Sequence, residues 1–495
     1  MLRIQLIILF LFMVSTSFSQ NRLGLSTGDF AGVNGVVINP SSSVNSKYYI
    51  DIQLAGAGVS TKNNYIFYKK DLRTLNDIIS KSPTFSYFID SLANTRERYF
   101  GENFNKKLKG GYFNARVFGP SFMMNKGNYS YGFFSGVRSS IMMKNSSYDV
   151  TKFLYELFDY PELHNINFKN EIDMHYEVLN FAELGLNYSQ NIYAGNFERV
   201  DVGINLKYLK PHSGTKIYVD KLDYVVPDDS TLVVFKGDGD LRFSAPVNYD
   251  NNNYKHAPFF KGYGLGADLG ITYTKSEYFQ RNTLPEKRYR LDKKDNYKYR
   301  IGFSVLDLGY VSFNKRAQSH EYRNFSTFWR GIDEIEYENI NASIDTINAH
   351  FNPPSKSGNS FTMLLPTALS LQFDYHYFNN WYLNSVLMYN INKKANGYNR
   401  PHYLSFMPRY ENAHMGIGIP FSLYDFKQPQ VGFNFRFYFL NIGTSNLSYY
   451  LGMSDISDMD IYFSIKFNIL RIDNFFRDIE NFMGRKITNK PDYKY

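Results

Sequence analysis

The sequence of 495 residues contains no cysteine, so neither disulfide bonds nor thiolate chemistry can contribute to its fold or activity. It has only 2 Trp, although 43 Tyr and 44 Phe bring its aromatic content to 18%. After its first residues it has no apolar run of about 20 residues, which excludes a membrane-spanning helix there. Its mean hydropathy is −0.39. This combination favours a β-barrel with an apolar outer band, aromatic girdles and a wet interior, and a soluble array of β-sandwiches is the alternative.

The charge and the first residues indicate the compartment. The formal net charge is +9, and +8 without Arg3, but the basic residues are spread out rather than clustered as nucleic-acid binding requires. Residues 1–19 have the layout of a secretory signal peptide, with a basic start, an apolar run over 4–14 and small residues before a cut after Ser19. No cysteine follows, which argues against a lipoprotein anchor. We therefore predict an exported protein without a nucleic-acid partner.

Apolar residues alternate with polar or small ones along many stretches, which is the period of a β-strand. Because Asp, Lys, Arg and Asn on the opposite face are tolerated only beside water, the apolar face is expected to contact outer-membrane lipid. The residues predicted to face lipid in the last strands are Val431, Phe433, Phe435, Phe437, Ile461, Phe463, Ile465 and Phe467. The same alternation places Met363, Leu365, Leu371 and Phe373 on one face of another strand.

This pattern marks thirteen strands between residues 46 and 469. Since bacterial single-chain barrels have even strand numbers, we predict an all-β, transmembrane antiparallel barrel of about fourteen strands over 46–469. Short turns fall near 125–128, 194–196 and 378–380, and long excursions cover 62–111, 144–177, 211–261 and 314–360. The long connections are expected outside the cell, with short helices near 71–79 and 151–157.

Two terminal segments flank the predicted barrel. Residues 20–45 are rich in Gly, Ser and Asn but carry too many apolar side chains to remain exposed to water. They are therefore expected to plug or line the lumen of the barrel. The residues predicted for this plug are Phe30, Val33, Asn34, Val36, Asn39 and Pro40. Residues 470–495 form a predicted periplasmic tail with an amphipathic helix over 472–485, which packs either on the barrel or on a partner.

The segment over residues 23–42 ends in Asn39-Pro40-Ser41 before the first strand, and it resembles the start of FadL/PorV-like outer-membrane barrels. Together with the C-terminal strands it is most similar to a family of Bacteroidota outer-membrane proteins. The resemblance implies fourteen strands and an N-terminal segment in the lumen. It also implies a transport or secretion role, either passage of hydrophobic compounds or an accessory part in type IX secretion. The outer loops are longer than in either group, and no ligand-binding residue of either can be matched.

Few residues suggest a catalytic or metal-binding site. None of the nine histidines has metal-ligand spacing, and no Gly-x-Ser-x-Gly motif occurs, so we predict no enzyme activity, no catalytic or metal-binding residues and no cofactor. The acidic groups at 237–240 and 455–460 are either calcium ligands or solvated turn residues. The second function left open is a closed surface barrel whose outer loops bind a protein or polysaccharide. An envelope protein could also bind the loops or the C-terminal tail.

Overall fold

A computed structural model describes residues 23–68, 100–156, 158–255, 257–276, 297–334, 338–351, 354, 356–392, 400–448, 450–451 and 457–470. The predicted signal peptide, the predicted helix near 71–79 and the predicted helix over 472–485 lie outside these residues. No helix in the described part of the chain is long and apolar enough to cross a membrane.

Regular structure is almost entirely β. In chain order the strands are β1 (Ile50–Asn63), β2 (Ile66–Tyr68), β3 (Phe100–Glu102), β4 (Lys109–Phe118), β5 (Ser121–Asn125), β6 (Tyr129–Ser146), β7 (Phe168–Asn170), β8 (Met174–Ala194), β9 (Glu198–Asp228), β10 (Thr231–Ser244), β11 (Gly262–Ser276), β12 (Tyr297–Phe313), β13 (Gln318–Arg330), β14 (Lys356–Gly358), β15 (Phe361–Leu364), β16 (Ala368–Phe378), β17 (Trp381–Asn390), β18 (Tyr403–Glu411), β19 (Met415–Gly418), β20 (Phe421–Tyr424), β21 (Gln428–Val431), β22 (Phe433–Phe437), β23 (Leu440–Thr444) and β24 (Asp458–Ile469). The α-helices are α1 (Leu23–Ser26), α2 (Tyr148–Glu156) and α3 (Ile340–His350), and the 3-10 helices are Gly32–Val37, Pro40–Asn45 and Pro161–Leu163.

The wall is a closed ring because both edges of β1 are paired. One edge pairs with β24, from Ile50 opposite Ile469 to Lys62 opposite Asp458, and the other pairs with β4 and β5. In ring order the described wall strands are β1, β4–β5, β6, β8, β9, β11, β12, β15–β16, β17, β18, β19–β20, β21–β22, β23 and β24. The prediction of an antiparallel barrel of fourteen strands is confirmed.

The fourteenth strand lies within residues 429–442, which the alternation in the sequence marks as a single strand. Tyr438 has a positive φ of 46°, and the chain turns there between Phe437 and Leu440. One predicted strand is therefore two, β21–β22 and β23, and the alternation runs across the turn without a visible break because Tyr438 and Phe439 are aromatic like their neighbours. Phe439, which continues the apolar alternation of the sequence, belongs to the turn.

A break in one wall strand makes one predicted strand face wrong, because its four apolar residues do not share a face. Met363 and Leu365 are buried, whereas Leu371 and Phe373 are exposed. The reason is the break between β15 and β16 at Pro366, which has no N–H to donate and shifts the side-chain alternation by one residue.

The two ends of the barrel differ in their connections. At the short-turn end, two or three residues join β5 to β6, β8 to β9, β16 to β17, β18 to β19 and β22 to β23. The opposite, long-loop end carries the connections from β1 to β4, β6 to β8, β9 to β11, β12 to β15 and β17 to β18. The three predicted short turns therefore lie at one end and the four predicted long excursions at the other. Two connections depart from this division, because 20 residues separate Ser276 of β11 from Tyr297 of β12 and only three residues join β20 to β21 at the long-loop end.

Two of the predicted long loops are largely sheet. Beyond the barrel, β9 continues and pairs with β10, which pairs with β13, and β13 pairs with β14. We call these strands the extension sheet. The helices α2 and α3 pack on one face of it, where Tyr224 donates to Asp149 at 2.6 Å and Trp329 stacks on His350 with 4.1 Å between ring centroids. The helix predicted near 151–157 is α2.

Candidate functional site: the plugged lumen

The N-terminal segment lies inside the short-turn half of the barrel, and we call residues 23–48 the plug. Its two 3-10 helices contact β1, β5, β8, β9 and β11 from within. The chain turns into the second of these helices at Asn39, whose side chain accepts a hydrogen bond from Ser41 N, with Pro40 as the first helical residue. Gly32 has a φ of 58°, and a Cβ there would lie 1.8 Å from the Asp51 carboxylate, so only glycine fits.

All six residues predicted for the plug are buried between the wall strands. They are Phe30, Val33, Asn34, Val36, Asn39 and Pro40. The apolar members Phe30, Val33 and Val36 pack with wall residues Met123 and Phe134 in one cluster. The plug is thus a small core that the strands complete, since a segment this short cannot bury its apolar side chains alone.

Inward polar side chains hold the plug from several sides of the ring. Asn39 Nδ2 donates to the side chains of Gln372 at 2.8 Å and Thr272 at 3.2 Å. Ser43 donates to Asn187 at 2.7 Å and contacts the Ser189 hydroxyl at 2.7 Å. Because these partners lie on β8, β11 and β16, the plug is attached across the lumen rather than to one strand.

A glycine face allows this close approach. A Cβ at Gly270 would lie 2.1 Å from Asn39 Oδ1, and one at Gly203 would lie 2.5 Å from the Pro40 carbonyl carbon. Gly264, Gly266 and Gly270 recur along the inner side of β11, and such glycines are expected to let an inserted segment approach the wall. A Cβ at Gly264 would meet Tyr310 and one at Gly266 would meet Leu365, both wall residues. Of the three, Gly270 is the one that faces the plug.

Ion pairs fix the plug at two further points. Asp29 is fully buried and pairs with Arg300 on β12 and with Lys47 at 2.7 Å. Burial alone would raise the pKa of Asp29, but Arg300 and Lys47 hold it well below its ordinary value. On the other side of the ring, Lys466 donates to Ala31 O at 2.8 Å, between the plug and β24.

A belt of buried charges crosses the lumen above the plug, which we call the ion belt. Asp307 accepts two hydrogen bonds of 2.9 Å from Arg138 and one of 2.7 Å from Lys207, and it also pairs with Arg400. Lys207 pairs in addition with Asp268 at 2.6 Å. Asp307 has a φ of 53° in a bulge of β12, so the backbone is held in an uncommon conformation at the centre of the belt.

The ion belt is joined to the plug by amide side chains. Asn205 donates to Asp268 at 2.7 Å and to the plug carbonyl of Val36 at 2.9 Å. Asn187 donates to Asn205 at 2.8 Å and to Pro40 O at 3.1 Å. Lys207, Asn205 and Asp268 lie on the polar faces of alternating strands, but nothing in the sequence signals that they converge.

Above the ion belt the inner surface becomes apolar. Phe313 and Phe361 stack with ring centroids 4.7 Å apart. The cluster that we call the upper apolar cluster consists of Leu179, Phe181, Leu209, Val311, Phe313, Ala317, Phe361, Met363 and Leu365, all of them buried. The barrel is therefore filled in three layers, and a cavity beside Phe30 and Arg409 measures about 20 Å³, room for one water molecule.

The outer surface carries apolar side chains on every wall strand. One exposed example from each, in ring order, is Leu54, Val117, Phe133, Leu186, Leu206, Leu265, Phe303, Leu371, Tyr389, Leu404, Phe421, Phe433, Ile442 and Phe463. The eight residues predicted to face lipid all lie on this outer surface, with Phe435 and Ile465 half-buried and the other six exposed. An apolar outer band around a polar interior is the surface of a membrane-spanning barrel.

The remaining candidates do not form a reactive site. His376 contacts the Asn379 carbonyl at 2.8 Å, and His402 accepts from Asn390 N at 3.2 Å. Asp240, in the predicted acidic group 237–240, pairs with Arg323 at 2.6 Å. No group of three or more metal-binding side chains occurs in the described ranges, and most of the acidic group at 455–460 lies outside them or in β24.

Comparison with known proteins gives one family and several distant structures. A model described as "Family of unknown function (DUF5723)" matches residues 40–445. The Ralstonia pickettii toluene transporter TbuX is 9% identical over 92% of this chain and 99% of that chain, with a TM-score of 0.41. The Pseudomonas putida toluene transporter TodX is 9% identical over 91% and 94%, with a TM-score of 0.37. A Pseudomonas aeruginosa FadL homologue is 9% identical over 92% and 100%, with a TM-score of 0.23.

No curated protein matches the sequence. A FadL homologue is thus among the structures that this chain resembles, as the N-terminal segment predicts. TbuX and TodX are described as transporters or channels and not as enzymes. These similarities are low, and the assignment of a closed barrel therefore rests on the strand pairing of this chain itself.

Proposed function

Because this chain belongs to the family of unknown function DUF5723, we propose its function from its geometry: it is an outer-membrane barrel for gated passage of small apolar compounds. The observation that carries this proposal is the plug, a separate segment that fills the short-turn half of the lumen. A barrel that was only a rigid support could fill its interior with wall side chains, as this one does in the upper apolar cluster. A separate segment can leave the lumen without unfolding of the wall, which side chains of the wall cannot do.

The attachment of the plug supports movement. Asn39, Ser41 and Ser43 are held by hydrogen bonds to wall side chains, each contributing a net of about 0.5–1.5 kcal/mol. Water that enters the lumen can replace such bonds, whereas the apolar contacts of Phe30, Val33 and Val36 with the wall must be broken. That cluster has six buried side chains against nine in the upper apolar cluster, so displacing the plug should cost less free energy than rearranging the upper apolar cluster.

The nature of the passenger follows from the upper apolar cluster. Phe181, Phe313 and Met363 line the inner surface between the long-loop end and the ion belt. A polar or charged passenger would lose its hydration there, so a small apolar compound is favoured. An accessory role in type IX secretion stays a prediction from the resemblance alone.

The test uses the absence of native cysteine. The hydroxyls of Ser43 and Ser189 are 2.7 Å apart, so a disulfide in the double variant S43C/S189C should tie the plug to β8. In planar bilayers the oxidised variant should stay at basal conductance, and reduction should restore the opening events of the parent chain. The single variant S43C is the matched control. Equal conductance before and after reduction, in a parent chain that does open, would contradict the proposal.

The extension sheet favours a second candidate function, binding of a protein or polysaccharide partner outside the cell. Phe235 and Phe328 are 56% and 69% exposed on this sheet. Loss of partner binding to whole cells in the double variant F235S/F328S, with unchanged permeability, would support this candidate over gated passage.

A further inference from the structure

The strand β13 of the extension sheet has one edge that is largely without a partner strand. Along its other edge it pairs with β10 over most of its length. Along the edge in question it pairs, among the described residues, only with the three residues of β14, which lie opposite 319–321. A bulge follows at Asn324, which has a φ of 52°. Residues 325–330 after this bulge therefore form an open strand edge, which we call the free edge.

The free edge is held in place from one face of the sheet. Trp329 stacks on His350 of α3, and the ring centroids of Phe325 and Phe351 lie 4.8 Å apart. Trp329 and Phe325 are buried by these contacts, whereas Phe328 is exposed on the opposite face. A strand whose conformation is fixed beforehand loses less entropy when it binds, so the free edge is preorganised for pairing.

The extension sheet carries the free edge away from the membrane. The strand β9, which starts at Glu198 at the short-turn end, is 31 residues long. At a rise of about 3.3 Å per residue and a tilt of about 40°, it extends roughly 75 Å along the barrel axis, three times the apolar band of about 25 Å. Thr231 of β10 lies opposite both Asp228 at the end of β9 and Arg330. The free edge therefore ends at the outermost part of the sheet, where a large partner can reach it.

The charge of this edge indicates the chemistry of the partner. Residues 323–330 contain two arginines and no acidic residue. Arg323 pairs with Asp240 at 2.6 Å, but Arg330 is exposed and forms no ion pair with a described residue. If a second copy of this chain paired antiparallel along the same residues, arginine would lie opposite arginine. Like charges in that position destabilise a sheet, so a strand with acidic side chains is favoured over a second copy.

We propose that the free edge binds an extended, acidic segment of a partner protein, which joins the extension sheet as a further strand. Alternate residues of 325–330 direct their N–H and C=O groups to this edge, and these groups pair with the segment. An acidic side chain of the segment pairs with Arg330, and an apolar one packs on Phe328. The proposal rests on the second candidate function above and names the chemistry of its partner, and it does not depend on gated passage.

The probe is a nine-residue peptide in which valine and glutamate alternate, and it is compared with a peptide that has lysine in place of glutamate. The full mature chain in uncharged detergent is titrated with each labelled peptide, and fluorescence anisotropy gives the affinity. The parent should bind the glutamate peptide about fivefold more tightly than the lysine peptide, and R330E should lose this preference. K169E, the same charge change at an exposed residue of β7, should bind like the parent. Equal binding of the two peptides by the parent, or equal preference in R330E, would overturn the proposal.

A second measurement tests the pairing of the backbone. With the glutamate peptide bound, hydrogen exchange should slow at amides within residues 325–330. A glutamate peptide that is N-methylated at every residue keeps its charges but cannot donate to the free edge, and it should not bind. Binding of the methylated peptide, or unchanged exchange at 325–330, would overturn strand addition.

Dextran, an uncharged polysaccharide, tests the other class of partner. Slower exchange at 325–330 with dextran but not with the glutamate peptide would overturn the proposal in favour of a polysaccharide. The double variant F235S/F328S separates such a failure from failure of the second candidate function. If the parent binds no peptide but F235S/F328S still weakens partner binding to whole cells, the partner binds the face of the extension sheet and not its edge.

Discussion

The two halves of the lumen are closed by different physical means. In the short-turn half, the plug is held by hydrogen bonds and ion pairs such as those of Asn39 and Asp29, together with a small apolar cluster around Phe30. In the long-loop half, side chains of the wall itself, such as Phe313 and Phe361, pack against one another. The polar contacts of the plug can be exchanged for water, whereas the packed side chains of the upper half cannot, so mutations in the two halves should separate permeability from stability.

The largest effect is expected at the boundary between the halves. Asp307→Asn removes the charge that pairs with Arg138, Lys207 and Arg400 and leaves these cations buried. Breaking such a network costs roughly 3–5 kcal/mol, to be measured by urea unfolding of the refolded barrel with heat-modifiable gel migration as readout. Asp228→Asn, at an exposed position at the end of β9, is the control and should leave the unfolding midpoint unchanged. A shift below 1 kcal/mol for Asp307→Asn would mean that water already screens the ion belt.

The second prediction concerns the upper apolar cluster. Phe313→Ala removes a fully buried ring from a packed site, which costs about 3 kcal/mol of unfolding free energy. Because the plug remains in place, conductance in planar bilayers should stay at the parent level. An increase in conductance with little loss of stability would show that the upper half, and not the plug, is the barrier.

Asn39→Ala should produce the opposite result. It removes hydrogen bonds to Thr272 and Gln372, a loss of about 1–2 kcal/mol that falls on the attachment of the plug. We expect more frequent opening events with a nearly unchanged unfolding midpoint. Ser42→Ala, at a half-buried plug residue beside Asn39, is the matched control. Unchanged opening in Asn39→Ala would place the polar attachment elsewhere in the plug.

The smallest effect is expected from pH. The pKa of Asp29 is lower in the folded chain than in the unfolded chain, so its contribution to stability is present above its ordinary pKa and is lost as the pH falls through the lower folded value. The pair with Arg300 should therefore persist from neutral pH down to about pH 4, with constant basal conductance. Arg300→Gln should abolish this resistance to acid. An opening transition of the parent between pH 7 and pH 5 that Arg300→Gln leaves unchanged would contradict the assignment of acid resistance to this pair.

Much of the wall could be predicted because each strand carries its own pattern. Phe463 faces outwards and Lys466 inwards, as the alternation of β24 requires. The extension sheet was missed because bulges at Gly237 and Asn324 interrupt the alternation of β10 and β13. No local pattern could reveal the ion belt, because Arg138, Asp307 and Arg400 come from distant parts of the chain and meet only after the ring closes.

The seam between β1 and β24 is joined to the plug through one carboxylate. Asp51 on β1 pairs with Lys466 on β24 at 3.1 Å, and the same carboxylate accepts from the plug N–H of Val33 at 2.7 Å. One carboxylate therefore joins the first strand, the last strand and the plug. A barrel closed without the plug would lose the hydrogen bond from Val33 to this carboxylate. The stability of the closing strand pair thus depends on whether the N-terminal segment is enclosed.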